Sequence, residues 1–294
     1  MRIGIPGTGR MASAIVLRLL ETGHAVVVWN RSPAKTEALV KAGATQTASP
    51  RQVAEIADVI VTILTDAPAI RAVYDGPEGV LAANLAGKLV IDMSTVRPAT
   101  SVDLAAKVRT AGAAFVECPV GGTTGPARQG KLLGLAGAEA SDFARAKPLL
   151  DQLCRRVEHV GPVGSGAKMK LAINLPLLVA YQALGEAYIL ASGSGRDASW
   201  IMELFSDTSG APNILKVRGP AIADAIGGKA LPQAFDVDSI RKDLRTMLEE
   251  ARSVGAELPV AERALAVFDQ ASKDGWGAKD GATLPSYWAG KKKT

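Results

Sequence analysis

The first half of the chain alternates short apolar, β-branched runs with segments of helical periodicity. Runs such as Val59–Leu64 are apolar at nearly every position, which is typical of strands covered by helices on both faces. The alternation therefore predicts an α/β domain with a parallel, doubly wound sheet. The predicted strands are Arg2–Ile5, Ala25–Trp29, Val59–Leu64, Leu89–Met93 and Phe115–Glu117, and the first helix is predicted from about Met11 to Thr22.

Beyond about Gly161 the pattern changes to long helical segments, predicted at Ala167–Ala191, Trp200–Phe205 and Ile240–Val254. We therefore predict a sheet domain over residues 1–163 and an all-helical domain over residues 164–294, beginning with a long interdomain helix. The segment Gly161–Gly166 is rich in glycine and fits a linker, or a helix start that approaches a ligand closely.

Composition argues against several classes of protein. The two cysteines cannot form a disulfide framework, and neither of the two histidines has another metal ligand at motif spacing, so zinc hydrolysis and a serine–histidine triad are poorly supported. The basic residues are dispersed except for Lys291–Lys293, which disfavours nucleic-acid binding, while the net charge of +5 favours small anions. With neither a secretion signal nor a stretch of membrane-span length, we expect a soluble, cytoplasmic protein.

A glycine-rich turn, Gly7-Thr8-Gly9-Arg10-Met11-Ala12, follows the first predicted strand and opens the first helix. Gly7 permits a tight turn, Gly9 lets the backbone approach a pyrophosphate, and Ala12 allows close packing of helix on strand. A helix N-terminus also offers N–H groups and a partial positive charge to phosphates. This placement favours dinucleotide binding on a Rossmann-type sheet over an ordinary tight turn.

The end of the second predicted strand indicates which dinucleotide is bound. An acidic residue there binds the ribose hydroxyls of NAD, whereas this chain has Asn30-Arg31-Ser32, followed by Lys35. Arg31 can pair with a 2′-phosphate, with hydrogen bonds from Asn30 and Ser32, so we predict a preference for NADP over NAD. The alternative is a solvated loop arginine.

Lys170 and Asn174 are four residues apart in a segment predicted to be helical, so both side chains lie on one face. Such a pair is often merely solvated. Here the neighbours Leu171–Ile173 and Leu175 are apolar almost all round, which indicates a buried helix. Burial disfavours an ammonium, so a buried lysine can exchange protons during turnover. Lys170 is therefore a candidate general acid/base.

With these motifs the chain resembles the β-hydroxyacid dehydrogenase family, which includes 3-hydroxyisobutyrate dehydrogenases, tartronate semialdehyde reductases and glyoxylate/succinic semialdehyde reductases. The resemblance covers nearly the whole chain. It rests on the glycine turn together with Asp92–Thr95, Cys118–Thr123, Gly164–Asn174, Lys242–Leu244 and Gly275–Asp280.

The resemblance implies roles for several residues. It makes Lys170 the general acid/base, lets Asn174 orient the substrate, and brings Lys242 to the cofactor side of the cleft. The remaining cofactor-binding residues that we predict are Gly7, Thr8, Gly9, Arg10, Met11, Asn30, Arg31, Ser32, Lys35, Leu64, Thr65 and Thr95. The predicted substrate-binding residues are Ser94, Gly121, Gly122 and Thr123.

Two departures from the family pattern bear on substrate. The family has Ser-Gly-Gly where this chain has Gly121-Gly122-Thr123, and that serine helps to hold the substrate carboxylate. Thr123 or the glycine N–H groups are possible replacements, and a bulkier substrate is equally compatible.

Pro176 lies two residues after Asn174 and predicts a kink in the helix. Cys118 fits a buried small hydrophobe better than a nucleophile.

These features predict an NADP-dependent oxidoreductase that acts on a small hydroxy acid or semialdehyde and assembles as a homodimer or homotetramer. An NADPH-dependent imine reductase is the first alternative, although the imine reductases that resemble this family usually have Asp or Tyr at the position of Lys170. A non-catalytic NADP-binding scaffold is the second, and family members of that kind lose the lysine.

Overall fold

The computed structural model describes residues 1–191, 193–208 and 214–291. Within it the chain forms two compact units, Met1–Lys170 and Leu171–Thr294. The domain boundary predicted between residues 163 and 164 stays a prediction. In the predicted terminal lysine run, Lys292 and Lys293 lie outside the described residues.

The first unit contains the strands β1 (Arg2–Pro6), β2 (Ala25–Trp29), β3 (Thr45–Gln46), β4 (Val59–Thr62), β5 (Leu89–Asp92), β6 (Ala114–Glu117), β7 (Val120–Gly121), β8 (Leu132–Gly137) and β9 (Cys154–Gly161). Its helices are α1 (Arg10–Glu21), α2 (Glu37–Lys41), α3 (Pro50–Ile56), α4 (Ala67–Tyr74), α5 (Pro98–Thr110), α6 (Thr124–Arg128) and α7 (Ala140–Leu153). Helix α8 (Ser165–Ala191) begins in this unit and continues into the second.

The strands form one sheet in the order β3-β2-β1-β4-β5-β6-β8-β7, with β9 paired to β8. Pairing from β3 to β6 is parallel, as the sequence predicted, and the α/β class is confirmed. The expectation of a wholly parallel sheet is wrong, because β8 runs antiparallel to both β6 and β7. The sequence analysis also missed the strands β3, β7, β8 and β9.

Both faces of the central strands are buried, which explains their continuous apolar runs. On β1, Ile3 and Ile5 pack into one core cluster with α1. On β4, Val59 and Val61 join that cluster while Ile60 faces the other. Polar groups are thereby driven to the strand ends.

The regular elements of the second unit are all helices in its described residues, as predicted. Its helices after α8 are α9 (Ala198–Ser206), α10 (Ile214–Ile226), α11 (Val237–Ser253), α12 (Pro259–Ala271) and α13 (Leu284–Ala289). Together with α8 they share a core of fully buried side chains, among them Leu178, Ile222, Ile240, Leu244, Phe268 and Leu284.

Helix α8 differs from its prediction in two respects. It is not buried all round, because Met169 and Ile173 are 43% and 42% exposed. By length and composition alone it also satisfies the criteria for a membrane span, contrary to the sequence expectation, although the core helix of a globular protein does so equally well. Pro176 lies inside the helix and does not end it.

Candidate functional site

The glycine turn sits where the strand order reverses, between β1 and β4. In open α/β sheets, ligands bind outside the carboxyl ends of the strands at this reversal. Gly7 has φ +120°, and its N–H donates to the Trp29 carbonyl at 2.7 Å, so the turn is tied to the end of β2. A Cβ on Gly7 would lie 2.6 Å from Leu64 Cδ2, so only glycine fits here.

The N-terminus of α1 has the features of an anion-binding helix end. Its N-cap is Gly9, no side chain caps it, and the first turn contains no acidic residue. A Cβ on Gly9 would meet nothing within 4 Å, so the space above this backbone is open. A phosphate can therefore approach the backbone where a side chain would otherwise stand.

Asn30 joins the glycine turn to the loop after β2. Its Nδ2 donates to Thr8 Oγ1 at 2.9 Å, and its Oδ1 accepts the Ser32 N–H at 2.9 Å. Thr8 is buried, whereas Arg31 and Lys35 are exposed and form no ion pair with the described residues. The structure thus places the predicted 2′-phosphate residues on one loop, with Asn30 shaping it.

The loops after β4 and β5 are joined through Ser94. Its hydroxyl accepts the Leu64 N–H at 2.8 Å and donates to Asp92 Oδ1 at 2.7 Å. Ser94 is 2% exposed. Its side chain therefore joins the Leu64 loop to Asp92, and the substrate contact predicted for Ser94 stays a prediction. Thr65 is exposed and Thr95 half-buried on the same two loops.

Asp92 is the centre of this buried network. Its Oδ1 also accepts the Thr62 hydroxyl at 2.7 Å, and Thr62 in turn lies 3.0 Å from the Tyr74 hydroxyl. Burial raises the pKa of Asp92, while hydrogen bonds from Ser94 and Thr62 oppose that shift. Burial also raises the pKa of Tyr74, so it stays a neutral phenol. No role was predicted for Asp92 from the sequence, although an acidic residue at the end of an apolar strand is a signal that could have found it.

The predicted substrate loop runs from Cys118 to Thr123. Gly122 has φ +124° and its Cβ would lie 2.8 Å from Leu132 Cδ2, so glycine is required. At Gly121, by contrast, a Cβ would meet Leu133 at an ordinary 3.6 Å. Packing therefore leaves room for the family serine that this chain lacks. Cys118 is buried and burial raises its pKa, in agreement with its expected apolar role.

Lys170 and Asn174 lie on the buried face of α8, at 7% and 6% exposure. Their spacing puts both side chains on one face of the helix, as predicted. In the second unit, Asn174 Nδ2 lies 3.4 Å from Asp243 Oδ2, and Asp243 Oδ1 pairs with Lys242 Nζ at 2.6 Å. Asp243 is 4% exposed and was not assigned a role from sequence. The feature that could have identified Asp243 is a carboxylate on the buried face of a helix.

Comparison with known proteins adds to this geometry. Residues 2–161 match the family described as the NAD binding domain of 6-phosphogluconate dehydrogenase. Residues 164–288 match the family described as NAD-binding of NADP-dependent 3-hydroxyisobutyrate dehydrogenase. Glyoxylate/succinic semialdehyde reductase 1 of Arabidopsis thaliana is 33% identical over 280 residues, covering 95% of this chain and 96% of the relative.

The chain belongs to the β-hydroxyacid dehydrogenase family. It is an oxidoreductase with NAD(P)-binding domains. Among solved structures, a 3-hydroxyisobutyrate dehydrogenase from Salmonella typhimurium is 26% identical with a TM-score of 0.86, covering 98% of this chain and 99% of the other. Psf3 in complex with NADP+ and 2-OPP is also 26% identical with a TM-score of 0.86, covering 97% and 99%.

The open space at Gly9 generates a prediction about nucleotide binding. Gly9→Ala places a methyl group where a pyrophosphate approaches, so we expect the Kd for NADPH to rise at least about tenfold. Stability should fall by less than about 1 kcal/mol, the usual loss on placing alanine at an N-cap. Isothermal titration and urea unfolding measure the two effects. Wild-type affinity in this variant would contradict the assignment.

Gly4→Ala serves as the matched control. Its Cβ would lie 2.5 Å from Val53 Cγ1 and 2.8 Å from Ala57 Cβ, inside the core between β1 and α3. Overpacking of this kind costs about 1–3 kcal/mol. We expect this variant to lose stability while its folded form binds NADPH within about twofold of wild type.

Proposed function

We propose that the protein catalyses reversible hydride transfer between NADP(H) and a small hydroxy acid or the corresponding semialdehyde or keto acid, with Lys170 as general acid/base. The observation that carries this proposal is the burial of Lys170 and Asn174 on one face of α8 in a member of this family. A lysine and an amide held together away from solvent suit proton transfer to an oriented oxygen.

The residues around the glycine turn fit a dinucleotide. The uncapped start of α1 and the open space at Gly9 suit a pyrophosphate, as the helix dipole favours an anion there. Gly7, Thr8, Arg10 and Met11 would hold the cofactor in this turn, with Leu64, Thr65, Thr95 and Lys242 as the further contacts. When bound, the cofactor supplies or accepts a hydride at C4 of its nicotinamide.

Preference for NADP is supported by the loop after β2. Asn30 through Lys35 contains no carboxylate to repel a 2′-phosphate or to bind a 2′-hydroxyl. Arg31 and Lys35 are exposed cations on this loop, and an arginine fork matches a phosphate with two hydrogen bonds. The likeness to Psf3, which is described with NADP+, points the same way.

Lys170 performs the proton step of the proposed reaction. In the reducing direction the carbonyl carbon accepts the hydride while Lys170 Nζ donates a proton to the carbonyl oxygen, which gives the hydroxyl group. In the oxidising direction Lys170 takes that proton back. Asn174 orients the oxygen, and Asp243 holds the amide of Asn174. A general acid in this role contributes about 10²- to 10⁴-fold.

The acid end of the substrate is assigned to the loop of Gly121, Gly122 and Thr123. Backbone N–H groups of such loops bind oxyanions, and Thr123 supplies a hydroxyl. Ser94, whose hydroxyl accepts the Leu64 N–H, is the further residue that we propose for the acid end of the substrate. The names of the relatives, semialdehyde reductase and 3-hydroxyisobutyrate dehydrogenase, favour a short carboxylate substrate. The homodimer or homotetramer and the cytoplasmic location stay predictions.

The function is tested by NADPH oxidation with succinic semialdehyde, glyoxylate, tartronate semialdehyde and a cyclic imine. We expect turnover of at least one of the three carboxylates, because Lys170 and Asn174 suit an oxygen that becomes a hydroxyl group. Turnover of the imine alone would favour the imine reductase alternative. Tight NADPH binding without turnover of any compound would favour a non-catalytic scaffold.

Lys170→Ala tests the proton step with the best carboxylate from that panel. We expect kcat to fall at least about a hundredfold, since general acid catalysis is lost, while the Kd for NADPH stays within about twofold. Lys168→Ala is the matched control, because Lys168 lies on the same helix turn and is exposed. It should retain wild-type kcat. Near-normal turnover by Lys170→Ala would remove the lysine from its role.

Arg31→Ala tests cofactor preference through the ratio of KM for NADPH to KM for NADH. Loss of a charge-assisted contact that only NADPH makes should raise the KM for NADPH by at least about tenfold, with little change for NADH. Arg155→Ala, at an exposed arginine on β9, is the control and should change neither value. Equal increases for both cofactors in Arg31→Ala would refute the assignment.

A further inference from the structure

A buried carboxylate at the end of β6 receives the first amides of helix α8. Glu117 is 1% exposed, and its Oε1 accepts N–H groups from Gly164 at 2.6 Å, Gly166 at 2.8 Å and Ala167 at 3.4 Å. All of these residues belong to the first unit. The four N–H groups at a helix start have no partner within the helix, so Glu117 supplies one from another element.

Burying a carboxylate costs desolvation free energy unless several hydrogen-bond donors hold it. Burial raises the pKa of Glu117 above its usual value, and the hydrogen bonds from Ser101 and from the amides of Gly166, Gly164 and Ala167 oppose that shift without cancelling it. The positive end of the α8 dipole also favours an anion at this place. A side chain that only filled space would not need a polar acceptor here, because an apolar residue avoids the desolvation cost.

Two glycines, Gly166 at the start of α8 and Gly137 at the end of β8, leave the space that this contact occupies. A Cβ on Gly166 would overlap the Leu135 carbonyl oxygen, and a Cβ on Gly137 would overlap Glu117 Oε1. The sequence predicted the segment Gly161–Gly166 to be a linker or a helix start that approaches a ligand. The structure shows that Gly166 instead brings α8 against β8 and the Glu117 carboxylate. The close approach is internal to the fold.

The contact is near the residue proposed for proton transfer. Ala167 precedes Lys170 by three residues, which corresponds to about 4.5 Å along a helix axis. Helical side chains lean towards the N-terminus, so the Lys170 side chain leans towards the end that Glu117 holds. Glu117 also directly precedes the loop Cys118–Thr123. One carboxylate therefore joins the strand that leads into this loop to the turn that carries Lys170.

We propose that Glu117 is a positioning residue that sets the depth and rotation of the first turn of α8 and thereby places Lys170 for proton transfer. This inference rests on the proposed role of Lys170. A displacement of about 1 Å in a catalytic group can cost about a hundredfold in rate. The neutral, isosteric Glu117→Gln keeps the shape but weakens the bonds to the amides, because charge-assisted hydrogen bonds are about twice as strong as neutral ones.

The test is a double-mutant cycle with Glu117→Gln and Lys170→Ala. We expect Glu117→Gln to lower kcat by about 10- to 100-fold while the Kd for NADPH stays within about twofold. If Glu117 acts through Lys170, the double variant is no more than about twofold slower than Lys170→Ala alone. Glu139→Gln is the control, because Glu139 stands at the N-cap of α7 without a side-chain cap bond, and it should leave kcat unchanged.

Two kinetic results would overturn the inference while leaving the proposed function intact. The first is a wild-type kcat in Glu117→Gln that folds normally. The second is a double variant whose loss of kcat equals the product of the losses in the two single variants. Near-normal turnover by Lys170→Ala would instead refute the proposed function, and this inference with it. If Glu117→Gln fails to fold, hydrogen exchange of backbone amides in the wild-type protein tests whether Glu117 holds the start of α8. The amides of Gly164, Gly166 and Ala167 are expected to be protected like those of β6, and rapid exchange would contradict the contact.

Discussion

Burial of the central strands on both faces is the constraint from which the rest of the structure follows. With Ile3, Ile5, Val59 and Val61 facing one core and Ile60 the other, no polar side chain has a place within these strands. Each parallel strand can therefore carry exposed polar side chains only at its ends. Because β1, β2, β4, β5 and β6 are parallel, their carboxyl ends fall along one edge of the sheet.

Two buried acids organise that edge. Asp92 ends β5 and holds the loops after β4 and β5 through Thr62 and Ser94. Glu117 ends β6 and holds the start of α8 through three backbone amides. The two are register neighbours in the sheet. Neither contacts solvent to any extent, so their effect on chemistry is exerted through the backbone that they fix rather than through direct contact with a ligand.

Prediction from sequence succeeded where a local pattern carried the information. The glycine turn and the apolar runs of β1, β2, β4, β5 and β6 are contiguous in the chain, and their positions were found to within a residue or two. The strand β9 was missed because its residues, Cys154–Gly161, include arginines and a glutamate that stay exposed or half-buried, so no apolar run marks it. β8 was missed because glycine interrupts its pattern.

In the candidate site, too, prediction from sequence failed where no local pattern marks a contact. Ser94 accepts the N–H of Leu64, thirty residues away, and Glu117 accepts amides about fifty residues away. Such long-range pairs leave only a weak local trace, which here was an acidic residue closing an apolar strand. The exposed faces of Met169 and Ile173 likewise follow from how α8 packs and not from their hydrophobicity.

Direct transfer of a hydride from the nicotinamide to the substrate carbon can be followed by isotope labelling. The wild-type enzyme would be incubated with succinic semialdehyde and NADPH that carries deuterium at both C4 positions, and the hydroxy acid analysed by mass spectrometry and NMR. We expect a single deuterium on the carbinol carbon of the product. A product free of deuterium would contradict it, because the hydride would then come from another source.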